Sequence, residues 1–161
     1  MWLKRIVAIV LTIMMLCMQA VSVCAEEDNT SEWYELIEED FDFVNETEQI
    51  INPYSLYLMN VLTSIIKQDS SKVGMRAEVH CAAVMSKITI TFYLQKLSGS
   101  SWHNVGSTVV YAYNTSSTIK KVTASNLSSG TYRTKASVMV TASGSSYSET
   151  LTGYSGSINL P

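Results

Sequence analysis

The sequence predicts an all-β fold: a single antiparallel β-sandwich of about seven strands. Three observations carry this. Apolar and polar residues alternate with period two downstream of Pro53. Two short serine-glycine turns, Ser98-Gly99-Ser100 and Ser143-Gly144-Ser145, punctuate that stretch. No long helical pattern interrupts it.

Ahead of this body lie two other segments. Lys4 and Arg5 precede an apolar run from Ile6 to Met18, broken only by Thr12, and Val23-Cys24-Ala25 follows. This three-part pattern predicts an export signal over residues 1–25 and a secreted mature chain. The run is shorter than the ~20 residues of a comfortable bilayer crossing, so no stable membrane span is expected after cleavage. The alternatives are a retained anchor and a lipid on Cys24, the latter disfavoured by Val23 where a small residue is usual. Cleavage leaves Cys81 as the one cysteine. No intrachain disulfide can then form, which argues against a disulfide-rich scaffold.

Residues 26–52 form an acidic arm. Glu26 to Glu48 holds eleven acids and no Lys or Arg, whereas the rest of the mature chain holds nine bases against Asp69, Glu78 and Glu149. At 0.1 M salt such opposite charges attract over ~10 Å. Docking on the body, simple solvation, and masking of a basic ligand face are the three uses open to the arm. Ser31 suits a helix cap, and Trp33, Leu36, Ile37, Phe41 and Val44 recur at helical spacing. An amphipathic helix is therefore expected over 32–44. Asp40 and Asp42 oppose the dipole at its end. The arm lacks the Lys and Arg of a membrane-surface helix.

The β-sandwich domain is expected over 53–161. Asn52-Pro53 stops any helix. Leu56 to Lys67 reads as the first strand. Val73 to Val84 alternates, with odd positions apolar, Cys81 among them, and Arg76, Glu78 and His80 opposite. In Lys87 to Lys96, Ile88, Ile90, Phe92 and Leu94 face one way, and Tyr93 and Gln95 the other. Trp102 to Tyr113 offers two competing inward sets, Val105, Val109 and Tyr111 against Trp102, Val110 and Ala112. A bulge near Gly106 would reconcile them. Ile119 to Ala124 is short. Tyr132 to Thr141 sets Tyr132, Ala136, Val138 and Val140 against Arg133, Lys135 and Met139. Tyr147 to Gly153 and Ser157 to Leu160 end the chain.

Leu127-Ser128-Ser129-Gly130-Thr131-Tyr132 resembles the tyrosine corner of immunoglobulin-like and fibronectin-like domains, which implies a hydroxyl bonded back to nearby backbone. The second cysteine of antibody domains is missing: Thr134 stands two residues after Tyr132. The body also resembles a group of small secreted Gram-positive bacterial proteins of uncharacterised function. The residues that carry this are Tyr93-Leu94-Gln95-Lys96, Gly99, Trp102, Val105, Tyr132-Arg133, Lys135-Ala136, Ser148-Glu149-Thr150 and Tyr154-Ser155. The resemblance implies secretion and an all-β body, and it disfavours use of the Asn-x-Ser/Thr sites at Asn29, Asn45, Asn114 and Asn126. It implies no catalytic residues.

The residues themselves point away from an enzyme. His80 and His103 fall on different strands, too few convergent ligands for a metal. Cys81 and His80 face opposite ways, which does not suit a nucleophile and its base. Nothing sets two carboxylates across a cleft, and no phosphate-cradling glycine loop calls for a cofactor. Nucleic-acid binding has no motif.

The candidate ligand-binding residues are Tyr93, Trp102, Tyr111, Arg133 and Lys135. Aromatic rings and bases on adjoining strands can stack on sugars or hold polyanions. The plainer alternative is cross-strand stabilisation of an exposed sheet. The expected function is a non-enzymatic extracellular module whose partner is a carbohydrate or another protein. A structural surface protein self-associating at sheet edges and an extracellular hydrolase are the alternatives.

Overall fold

The structure, a computed structural model, describes residues 33–35, 48–51 and 55–161. The expected export signal and most of the acidic arm lie outside the described residues. Seven strands follow in order: β1 Trp33–Glu35, β2 Glu48–Ile51, β3 Leu58–Lys67, β4 Val73–Ser98, β5 Ser101–Ala124, β6 Gly130–Ala142 and β7 Ser148–Leu160. All pair antiparallel in one curled sheet.

The all-β antiparallel class is as the sequence predicts, but within the body the strands, β3 to β7, are fewer and longer than the sequence reading divides them. Val73–Val84 and Lys87–Lys96 are two parts of β4, and Trp102–Tyr113 and Ile119–Ala124 two parts of β5. The expected breaks are bends. The β4–β5 register shifts between His80 and Met85, and Asn114 on β5 takes a φ of 53° at the same level. The bulged residues account for the change of parity. Odd positions from Val73 to Cys81 are buried, then even positions from Ile88 to Leu94, so one sheet face stays turned to the core. Ala83, expected inward, is exposed because it lies within this bend.

The bend divides β4 between two neighbourhoods. Its first part lies between β3 and β5, its second between β5 and β6, and β6 then carries β7. The curl brings β7 back against β3. A Cβ on Gly153 would lie 2.5 Å from Thr63 Oγ1 and 3.1 Å from Val61 Cγ1, so only glycine lets β7 approach this closely. One apolar cluster fills the interior and joins both parts: Val61, Ile65, Met75 and Val79 with Ile88, Phe92, Leu94 and Val138. Each such side chain contributes roughly 1.5–3 kcal/mol on burial.

Both serine-glycine turns are present. Gly99 and Gly144 take φ values of 61° and 70°, conformations that cost glycine nothing. Near the Gly99 turn, where Tyr132 pairs with Lys96, the Tyr132 hydroxyl donates to the Ser128 carbonyl at 2.8 Å. The ring itself is buried. The local bond expected from the Leu127–Tyr132 motif is therefore made.

Two expectations change. Trp33–Glu35, inside the predicted helix, is extended and pairs with Val122–Ala124. The physical reason is that a sheet edge supplies backbone partners at once, whereas this helix had unfavourable acids at its end. The first body strand begins at Leu58 rather than Leu56, because the Leu56, Tyr57 and Leu58 amides turn to the Glu149 carboxylate.

Candidate ligand-binding face

The outer face of β5, the second part of β4, β6 and β7 holds all five candidate residues. Tyr93 and Gln95 project from β4 because their neighbours Phe92 and Leu94 are buried. Arg133 and Lys135 project from β6 because Tyr132, Thr134 and Ala136 are buried. Cross-strand pairs share a face, and Tyr93 lies opposite Lys135, Gln95 opposite Arg133.

Strand β5 needs its bulge to take part. Leu94 pairs with Gly106, but Gln95 pairs with Asn104, leaving Val105 as the extra residue. Without it Trp102 and Tyr111, nine positions apart in chain order, would point to opposite faces. With it, Val110 is buried, Ala112 packs against the core, and Trp102 and Tyr111 both face outward. Of the two competing inward sets, Val110 and Ala112 do turn inward, whereas Val105, Val109 and Tyr111 are exposed and Trp102 faces outward; the bulge itself falls beside Gly106, where the sequence anticipated one.

The rings and cations are paired off. The Arg133 guanidinium lies over Trp102 at 4.4 Å and over Tyr154 at 4.6 Å from the ring centroids. It is held there, since Arg133 Nε donates to Gln95 Oε1 at 2.8 Å and Gln95 Nε2 donates to Asn104 Oδ1 at 2.8 Å. Gln95 is itself buried, so this row of side chains is fixed rather than solvated. Lys135 Nζ lies 5.1 Å from the Tyr93 ring. Each such contact contributes about 0.5–1 kcal/mol at an exposed site.

Tyr111 stands apart from the other four. It is four residues along β5 from Ser107, the cross-strand neighbour of Tyr93, a distance of ~13 Å. There it stacks on Tyr113, centroids 6.3 Å apart, under Lys87 Nζ at 4.4 Å. The structure thus joins Trp102, Arg133, Tyr93 and Lys135 in one group and makes a second group of Tyr111, Tyr113 and Lys87. Between them run small polar residues, among them Thr91, Ser107 and Ser137. Among the described residues, this outer face carries no Asp or Glu.

Sequence reasoning missed Tyr154, Asn104 and Lys87. Tyr154 reaches Arg133 only because β7 also bulges: Arg133 pairs with Ser157 and Lys135 with Tyr154. The Thr134 amide displaced by this bulge donates to Ser155 Oγ at 2.8 Å. No local pattern signals that adjustment.

Two other sites carry chemistry but are internally satisfied. A shallow cavity of about 290 Å3 opens beside Ser55, Tyr147 and Glu149. The Glu149 carboxylate accepts the Ser55 hydroxyl and the amides of Leu56 at 2.8 Å, Tyr57 at 3.0 Å and Leu58 at 2.9 Å. Desolvation pushes its pKa up, but the Ser55 hydroxyl and these three amides outweigh that and hold it down at about 2. Glu149 is therefore ionised and saturated, a clasp between β7 and the start of β3. Close by, burial, with help from the Glu149 charge, raises the Cys81 thiol to about 11. Its expected place on the apolar face is the observed one. On the opposite face, Glu78 takes Arg76 on one oxygen and His80 Nε2 on the other at 2.7 Å. Among the described residues no three His, Cys, Asp or Glu side chains gather to hold a metal, and no helix is long and apolar enough to cross a membrane.

No protein-family model and no curated protein matches this chain.

Proposed function

We propose that this protein is a secreted, non-enzymatic binding module, and that the outer face around Arg133 holds a cell-envelope carbohydrate or other surface polymer. One observation carries the reading. Arg133 is fixed between two aromatic rings by a buried glutamine, on a face without carboxylates. Because each cation already covers a ring, a neutral sugar would have to displace it to stack. An anionic polymer would meet the cations where they stand, and its sugar rings would reach the exposed edges of Tyr111 and Tyr113.

In this reading the protein is of Gram-positive bacterial origin, the first 25 residues are removed on export, and the curled sheet serves as an immunoglobulin-like sandwich that presents the face. The test is a glycan array of matched anionic and neutral polymers, probed with the wild type and with Tyr93→Ala, Trp102→Ala, Tyr111→Ala and Arg133→Ala. Retention of anionic glycans should weaken about tenfold in Arg133→Ala and Trp102→Ala, equivalent to about 1.4 kcal/mol, and less in the other two. Absence of any retained glycan, or retention indifferent to all four substitutions, would overturn the proposal.

A further inference from the structure

Among the described residues, strand β5 has an open edge. One side is hydrogen-bonded to β4 along its length, and among the described residues the other side meets only β1, at Val122–Ala124. Natural sheets blunt such edges with Lys, Pro or other charged residues. Here the nineteen residues from Ser101 to Ile119 include no Asp, Glu, Lys, Arg or Pro. The bulge at Val105 interrupts one end, but Ser107 to Tyr113 remains in regular register with β4. That stretch is rich in β-branched and aromatic residues suited to strand pairing. Val109 and Tyr111 are each 44% exposed and Tyr113 60%.

We propose that a second copy of this chain pairs at this edge, β5 against β5, antiparallel across a two-fold axis. Such an axis sets a segment against itself, so any charge on it would face its own copy. This segment has none, which makes it self-compatible. A register centred on Val110 sets Val109 opposite Tyr111 of the second copy, and Ser107 opposite Tyr113, all on the outer face. Aromatic and β-branched side chains are favourable cross-strand neighbours. The cations do not oppose the union. Lys87 lies one strand inward, so the two copies of it stand at least three strand spacings apart, more than ~14 Å, beyond the ~10 Å screening length at 0.1 M salt. The two outer faces become one continuous surface with Arg133 and Trp102 represented twice. The pairing needs no ligand and stands whether or not the face binds a polymer.

Sedimentation equilibrium of the purified full chain tests it. The wild type should show twice the chain mass. Val109→Lys, which places like charges across the axis, should halve that mass with an unchanged far-ultraviolet circular dichroism spectrum. Met139→Lys, the same added charge on β6 away from the edge, should stay at two chains. If Val109→Lys alters the spectrum, Tyr111→Lys provides the same reading at an exposed position. A wild type of single-chain mass at every concentration, a mass that grows beyond two chains, or Val109→Lys and Met139→Lys behaving alike would overturn the proposal.

Discussion

The two parts of β4 share a backbone and a core but present different outer surfaces. On the first part, Arg76, Glu78 and His80 alternate acid with base, and Glu78 satisfies both neighbours. On the second, cations lie over rings, with no carboxylate to neutralise them. The first surface sets a carboxylate between its bases. The second keeps its positive field, because a ring quadrupole attracts a cation without cancelling its charge. The lesson is that burial and pairing alone do not separate a structural surface from a receptive one; the nature of the partner does.

The heaviest blow to the comparison is Phe92→Ala. Phe92 is fully buried in the cluster that both parts share. Urea denaturation should show a loss of about 3–5 kcal/mol, with fluorescence and circular dichroism transitions still coincident. Separate transitions would mean that the two parts are independent. Next comes Gly153→Ala, which forces β7 away from Thr63 and Val61. Overpacking of this kind costs about 1–3 kcal/mol, and the same denaturation measures it.

A paired substitution sharpens the contrast between the surfaces. Arg133→Gln gives up two ring contacts and the bond to Gln95, and should cost about 1 kcal/mol. Glu78→Gln removes a partly exposed ion pair with Arg76, whose worth is about 0–1 kcal/mol. Thermal melts of both at low and high salt should show the stability difference between Glu78→Gln and wild type shrinking as salt rises. The difference for Arg133→Gln should persist.

The response to acid tests the clasp between β7 and the start of β3. The carboxyl of Glu149 is depressed from its ordinary value of 4.5 to about 2 in the folded protein. Its stabilising effect is therefore complete above pH ~4.5 and is lost as pH falls towards 2. Glu149→Gln should remove that part of the slope in an acid titration of stability. A variant titrating like the wild type would show that the clasp adds nothing.

Much of this was legible in the chain. The parity of Ile88, Ile90, Phe92 and Leu94 identified a buried face correctly, and so did the run from Val73 to Cys81. The candidate face was half legible: alternation put Tyr93 with Gln95, and Arg133 with Lys135. What alternation cannot convey is that two such runs belong to one strand. A bulge changes the parity without ending the hydrogen-bonded ladder, so Met85–Ser86 and Asn114–Thr118 read as breaks. Nor could it reveal the partners of Glu149. Ser55 and the amides after it lie more than ninety positions away, and only the curl brings them together.

The bulge at Val105 has a further consequence for how this surface can vary through descent. Exchanging one side chain for another alters a single spot. Removing the one extra residue would turn everything from Ser101 to Asn104 over at once, sending the indole of Trp102 inward and the imidazole of His103 out. Chains of this kind can therefore gain or lose an entire contact patch through a three-nucleotide change in length, with the interior beyond Gly106 left as it is.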